Sequence, residues 1–399
     1  MNVETAPAAY TPLAEDAFDW LGREPVPAAH YTDPAHFTAE VEAVFKRTWV
    51  LAAHSCEFPE NGSFVVREFA FAGASVIIVR GKDRVLRGFH NVCTHRGTRL
   101  VDVPAGKGKA FSCPYHMWTF GTDGRLMSAP DFERFYVAKD DCSLKPVQVE
   151  CCGGLVFVNF AHAPQEDLRT FLGFFADQLD HTVLSQATTF SEYFYEVDAN
   201  WKLYMDNFQE NYHLRFIHPN TGAAALGAAN PLGYPSGYAF HGPHRQQTLW
   251  RNPDMPIPPP VQAFAMGQAS RLAAAEDAGT PRGKVDMKLF PNLFVIGQAS
   301  YVFTHCVQPL SHNRTRGWIR QYWIGDDDSA SQRFAREYVL GMIRDVHAED
   351  RGVIQRGQIG LQSGALQHIH FQQHEVLCRH LNVQLRERIA AWRAEQAGA

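Results

Sequence analysis

Asn91-Val92-Cys93-Thr94-His95-Arg96-Gly97 and Cys113-Pro114-Tyr115-His116-Met117-Trp118 are the two stretches on which the reading of this chain turns. Each carries one cysteine and one histidine, as Cys-x-His and Cys-x-x-His, with seventeen residues between His95 and Cys113. β-type sequence precedes each pair, so two adjacent loop tips can present two thiolates and two imidazoles to one site. Two metal groups take such a set. A zinc ion would use all four in one tetrahedron. A [2Fe–2S] cluster would take the cysteines on one iron and the histidines on the other, which raises its reduction potential. One histidine per loop departs from the finger spacing, in which the cysteines pair together and the histidines pair together, and this favours the cluster.

Outward from these loops, residues from about Leu51 to Phe160 read as short β-runs divided by turns. Ser75–Arg80 and Arg84–His90 flank Gly81-Lys82-Asp83 as a hairpin, and Gly154–Phe160 is a closing strand. Before them, Phe37, Val41, Val44, Phe45 and Trp49 have helical spacing, and the first thirty or so residues, rich in Ala and Pro, read as an extended arm. After Phe160 the pattern becomes mixed: a helix around Glu166–Leu179, a strand at Phe190–Val197, and strands at Leu293–Gln298, Tyr301–Pro309 and Arg316–Ile324. A long amphipathic helix follows from Ser331 to about Gln358, with another toward the end of the chain. Residues 220–262, rich in Gly, Ala and Pro, read as a functional loop.

Composition excludes several classes. With 399 residues, 45% of them hydrophobic, the chain can bury two sizeable cores. Apolar runs such as Ala74–Val79 fall far short of the roughly 20 residues needed to span a bilayer, and residues 1–9 lack the pattern of a secretory signal. A cytoplasmic location and no membrane partner are expected. A net charge of −5 gives no basic field for nucleic acid. Eight cysteines in so long a chain are thiols or metal ligands rather than a disulfide scaffold.

The two loops resemble the Rieske domain of ring-hydroxylating, non-haem iron oxygenases, whose loops read N-x-C-x-H-R-G and C-P-Y-H-x-W. The match runs through Asn91–Gly97 and Cys113–Trp118, except that Met117 stands where glycine is usual. Cys93, His95, Cys113 and His116 would then hold the cluster. Asn200-Trp201-Lys202 followed by Glu210-Asn211-Tyr212-His213-Leu214-Arg215-Phe216-Ile217-His218-Pro219 resembles the N-W-K and E/D-x-x-H-x-x-x-x-H motif of the same oxygenases, in which both histidines bind mononuclear iron. By that resemblance the ligands are His213 and His218. Five residues at ~100° each put these two side chains ~140° apart on a regular helix, so the helix must bulge or end between them.

The resemblance further implies an α+β fold: a small all-β Rieske domain (45–160) after an N-terminal arm and helix (1–44), then a catalytic domain (161–399) with an antiparallel sheet covered by helices, of helix-grip or START-like type. Such iron needs one carboxylate to complete a facial triad. The family carries it shortly before Gln-x-Gly, here Gln355-Arg356-Gly357. Asp350 falls ~40° from Val346, inside the apolar stripe of Val339, Met342, Ile343, Val346, Val353 and Ile354. It is the chosen ligand, with Glu349 and Asp345 behind it. Glu210 occupies the family's bridging position, passing electrons from a cluster histidine of one subunit to His213 of its neighbour, which implies a head-to-tail ring, a homotrimer. A ferredoxin or flavin reductase would supply the electrons, and dioxygen would hydroxylate, dihydroxylate or demethylate a small organic substrate.

Met205, Phe208, Phe216 and Phe294, with Phe194 and Phe303, form an apolar set fitted to an aromatic substrate. The same residues suit a cage for a quaternary ammonium group of choline or betaine type. Two rivals remain from other classes: an electron-transfer Rieske protein, for which Asn200–Pro219 would have no use, and a colourless zinc-stabilised binding protein. His368, His370, His374 and His380 read as a solvated helix face or subunit contact, Cys151 and Cys152 as packing residues, and Trp118 as either a docking or a packing residue.

Overall fold

The computed structural model describes residues 10–218, 221, 226–250, 252–254, 257–272, 285–298, 301–325 and 328–398. Two compact units are present, Phe45–Phe171 and Met1–Val44 with Leu172–Ala399.

The first unit is built of β-strands and short helical turns. Its main sheet runs in the order Val50–His54, Leu155–Asn159, Pro146–Cys152, Leu86–His90, Ala74–Arg80, Ser63–Phe69, Ala105–Lys107. The hairpin read from the sequence forms, with Ile77 opposite Phe89 and Val79 opposite Arg87. Val76, Ile77, Ile78 and Val79 are all fully buried. Both faces of that strand are therefore covered, which is why its sequence is a continuous apolar run rather than an alternation. A three-stranded sheet of Ala110–Ser112, Thr119–Gly121 and Leu126–Ser128 carries the second cysteine loop. The core of Phe64, Ile77, Phe89, Phe111, Trp118 and Phe120 packs against Cys93 and Cys113 themselves.

The second unit centres on a seven-stranded antiparallel sheet in the order Thr189–Val197, Arg314–Trp323, Tyr301–Ser311, Leu293–Gln298, Val285–Leu289, His244–Thr248, Gly237–His241. The 33-residue helix Ala330–Gln362 lays Ala335, Val339 and Ile343 against Phe303, Ile319 and Trp323 of the sheet and Ala269 of the helix Pro260–Leu272. Each fully buried side chain of the size of Val339 stabilises this contact by about 1.5–3 kcal/mol. The α+β class, with helices covering an antiparallel sheet, is the one expected.

Several elements differ from the expectation. The part of the N-terminal arm that lies within the described residues folds onto the second unit as a strap. Leu21 packs with Val376 and Val383, and Ala28 and Tyr31 pack with Leu361. The break between units falls at Phe171/Leu172 rather than at Phe160. The reason is local: the Glu150 carboxylate accepts from the Leu168 amide at 3.0 Å and ties the turn around Leu168 to the β unit. Residues 220–262 are no simple loop, since their described parts hold the hairpin Gly237–His241/His244–Thr248 and the start of the helix at Pro260. Pro219, Pro256 and most of residues 219–225 lie outside the described residues. His370 and His374 are not on a helix, which starts only at Val376. His374 instead stacks on Tyr234 at 3.9 Å, and His380 is buried against Trp20 and Phe240.

Candidate metal centres

The two cysteine loops share one backbone design. In the first, the Cys93 amide donates to the Thr98 carbonyl at 2.8 Å and the Gly97 amide to the Cys93 carbonyl at 2.9 Å. In the second, the Cys113 amide donates to the Trp118 carbonyl at 2.8 Å and the Met117 amide to the Cys113 carbonyl at 3.0 Å. Both loops turn at their fifth residue through the left-handed region, Gly97 at φ 78 and Met117 at φ 58. Cys93 and Cys113 are buried while His95 and His116 are partly exposed, their rings 4.7 Å apart. Trp118 is buried and stacks on His95 at 4.8 Å, so it packs the site rather than forming its exposed surface. Burial raises the Cys93 thiol above its ordinary value. At Cys113 burial acts in the same direction, but amide donors from Tyr115 and His116 outweigh it and hold the thiol below. His95 Nδ1 is buried without a hydrogen-bond partner among the described residues. Two buried thiols and an orphaned imidazole nitrogen are three of the four donors a mixed Cys/His cluster requires, and the His116 ring beside His95 offers the fourth.

The second constellation lies in the other unit. The helix Trp201–Asn207 ends well before the first histidine, and a separate one-turn helix, Leu214–Ile217, carries His213 and His218 at its two ends. The break required by the ~140° mismatch thus comes earlier than between the histidines, and the short helix lets both rings turn inward. Their Nε2 atoms are 3.2 Å apart, and Asp350 Oδ1 lies 3.5 Å from His213 Nε2 and 3.0 Å from His218 Nε2. Asp350 is 1% exposed, on the sheet-facing side of the long helix as its phase predicts.

The protons around this triad can be located. Glu210 Oε1 is 2.5 Å from His213 Nδ1 and Glu349 Oε2 is 2.7 Å from His218 Nδ1. A carboxylate accepts, so each Nδ1 carries the proton and each Nε2 presents a lone pair. Burial disfavours charge on His218, yet the negative charges of Asp350 and Glu349 beside it favour it and set its pKa above the ordinary value. Neither oxygen of Asp350 has a hydrogen-bond donor among the described residues. Two lone pairs and a buried carboxylate, all within 4.8 Å of one another, converge with no proton between them. Such a set fits a cation and little else. Glu349, a fallback ligand in the sequence reading, here orients His218, and Asp345 is exposed and paired with Arg344 at 3.1 Å.

The apolar set divides. Phe208 and Phe294 stand together, 5.8 Å between rings. Met205 is fully buried, turned about 100° from Tyr204 along its helix. Phe216 is 63% exposed because the one-turn helix spends its inward side on the two histidines, and Phe194 is turned outward onto Trp318. In their place are residues the sequence reading missed. Tyr193, Tyr195, Tyr204, His305 and His347 join Phe208 and Phe294 in one cluster of rings, with His347 stacked on Phe208 at 4.7 Å and Tyr195 on Tyr204 at 5.2 Å. Tyr195 lies over Gly317, where a Cβ would meet its ring at 1.8 Å. The signal was present for three of them: His347 precedes Asp350 by three residues on one helix face, and Tyr193 and Tyr195, two apart, share one face of a strand.

A model of the Rieske [2Fe–2S] domain matches residues 48–149, and a model of the ring hydroxylating alpha subunit, catalytic domain, matches residues 184–391. Among curated relatives, the oxygenase subunit of carnitine monooxygenase from Acinetobacter baumannii is 36% identical over 202 residues, 48% of this chain and 52% of the relative. The oxygenase subunit of glycine betaine monooxygenase from Pseudomonas aeruginosa is 33% identical over 198 residues, 49% of this chain and 44% of the relative. The chain spans about half the length of the curated relatives it matches. In fold it is similar to the quaternary ammonium Rieske monooxygenase CntA in complex with L-carnitine, with TM-score 0.74 and 23% identity over 95% of this chain and 99% of that one.

Proposed function

This chain belongs to the ring-hydroxylating alpha-subunit family and carries the family's Rieske [2Fe–2S] domain ahead of its catalytic domain; on that premise we propose that it is a terminal oxygenase that monooxygenates a quaternary ammonium compound. The observation that carries the oxygenase reading is the proton-free convergence of His213, His218 and Asp350. Three protein groups are what a facial triad supplies, with further positions left open.

Cys93 and Cys113, with His95 and His116, would hold the cluster; His213, His218 and Asp350 would hold iron. When bound, the cluster delivers single electrons and the iron provides the place where dioxygen is reduced. Glu210 and Glu349 keep protons on the outer ring nitrogens and so hold both Nε2 atoms in their ligating form. Glu210 is also our choice for the electron bridge from a neighbouring copy in a homotrimer, with a ferredoxin or flavin reductase as the donor.

The relatives named for carnitine and glycine betaine support the cationic substrate over the aromatic one, and so does the ring cluster. Two of the residues assigned to an aromatic pocket, Phe194 and Phe216, face outward. Those that gather beside Asp350 are tyrosines, phenylalanines and imidazoles, and the π-faces of Tyr204 and Phe208 attract a cation. The imidazoles do not repel it. Burial keeps His347 neutral, its pKa pushed down to about 4, and drives His305 down as well. Hydroxylation at a carbon bonded to the ammonium nitrogen consumes one dioxygen, two electrons and two protons and releases water. The hydroxylated carbon then expels the neutral amine, its hydroxyl proton passes to solvent, and the carbon becomes an aldehyde.

Purified protein carrying both metal groups, supplied with a reductase and a panel of quaternary ammonium and aromatic compounds, should couple oxygen uptake to amine release with the former. Coupled hydroxylation of aromatic compounds alone would sink the assignment.

A further inference from the structure

Two polar atoms inside the ring cluster have no part in the reading above. His347 Nε2 and His305 Nδ1 are both buried and make no hydrogen bond among the described residues. Their side chains contact each other, ring centroids 4.7 Å apart, and both contact Phe208. A buried polar atom without a partner is costly. Each imidazole has its other nitrogen paired with a tyrosine hydroxyl, so one nitrogen of each ring is used within the cluster and one is left over.

Their tautomers indicate what they await. His347 Nδ1 is 2.7 Å from the Ile343 carbonyl, which only accepts, so Nδ1 carries the proton and Nε2 is a bare acceptor. The Tyr193 hydroxyl, 2.8 Å from the same Nδ1, adds a second contact on that side of the ring. His305 Nε2 is bonded to the Tyr195 hydroxyl; we assign the hydroxyl as donor, which leaves the ring proton on His305 Nδ1. One acceptor and one donor on two rings in contact match an alcohol, whose O–H donates to His347 Nε2 while its oxygen accepts from His305 Nδ1. A carboxylate can only accept, and an N-methyl group does neither.

We propose that His305 and His347 are specificity-determining residues that select quaternary ammonium substrates bearing a hydroxyl group, the alcohol held by the two imidazoles and the cation by the rings of Tyr204 and Phe208. The proposal rests on the quaternary ammonium reading.

The test uses matched pairs that differ by one hydroxyl: choline against ethyltrimethylammonium, and L-carnitine against gamma-butyrobetaine. With the holoenzyme and a reductase, kcat/KM is measured for each member, and calorimetry gives the binding constants. The hydroxylated member of at least one pair should be preferred about tenfold or more, chiefly in KM and in binding. In His347→Leu that ratio should fall to near one, and His347→Gln, whose amide oxygen can accept, should restore part of it. The ratio is taken within one protein, so incomplete folding or iron loading cancels. No preference in the wild type for either pair, or a preference that survives in His347→Leu, overturns the proposal. Absence of binding and turnover for all four compounds overturns the parent reading as well, which the ratio alone would not do.

Discussion

Gly97 and Met117 occupy the same corner of two loops with the same hydrogen bonds, at φ 78 and φ 58, and only one of them is a glycine. A side chain in the left-handed region costs roughly 1–2 kcal/mol, and the Met117 side chain is too exposed to recover that by burial. Part of the gain from a glycine is offset by its freer unfolded state. Met117→Gly should therefore stabilise the first unit by about 0.5–1 kcal/mol, read as a higher guanidinium midpoint for loss of the cluster's visible absorbance. An equal or lower midpoint would mean that the thioether is held by contacts that outweigh the backbone strain.

Asp350 and Glu349 are adjacent in sequence but stand on different atoms of the triad. Asp350→Ala should abolish binding of the mononuclear iron and leave the cluster's absorbance intact. Glu349→Gln keeps all three ligand groups and should weaken iron affinity about 10–100-fold by releasing the His218 tautomer. Metal analysis after dialysis against a chelator ranks the two, and the reverse order would exchange their roles.

Glu40 of the N-terminal strap is fully buried against Lys202, 2.6 Å between charges, and accepts from Trp201 Nε1 at 2.9 Å. Removing one partner of a buried ion pair strands the other and costs about 3–5 kcal/mol. Lys202→Met should lower the stability of the second unit by that amount, and adding Glu40→Gln to it should restore a large part. Chemical unfolding of the single and double variants measures the coupling; purely additive losses would mean the pair contributes nothing as a pair.

Asp206 is held by the Tyr31 hydroxyl at 2.7 Å, yet burial raises its carboxyl from 3.8 to about 7. Between these values the folded chain keeps a proton that the unfolded chain has released, so stability from this group is full below pH 4 and lost as the pH climbs toward 7. Asp206→Asn should match the wild type near pH 4 and exceed it at pH 8 by a few kcal/mol. A difference that does not vary with pH would show that Asp206 is charged throughout.

Asn200-Trp201-Lys202 illustrates how far the sequence could be read. The motif marked the catalytic unit, but its physical reason is tertiary. The Asn200 amide donates to Gln358 Oε1 at 2.7 Å, its side chain caps the helix by accepting from the Lys202 amide at 3.0 Å, and Trp201 and Lys202 clamp the strap through Glu40. Apart from the helix cap, none of these partners is close in sequence. The hairpin at Gly81–Asp83, by contrast, was legible because turn chemistry and flanking apolar runs act over a few residues.

By itself the sequence determined the two cysteine–histidine loops, the histidine pair and the phase of Asp350, because loop spacing and helical periodicity are local properties of the chain. Only the tertiary structure decided which aromatic residues stand beside the candidate triad of His213, His218 and Asp350. A strand alternates its faces and a helix turns its side chains by ~100° per residue, so Phe194 and Phe216 could not be told from Tyr195 and Phe208 until each element was docked. The same holds for the deviation first noticed at Met117: the sequence showed the residue, and the backbone showed the left-handed corner it must occupy.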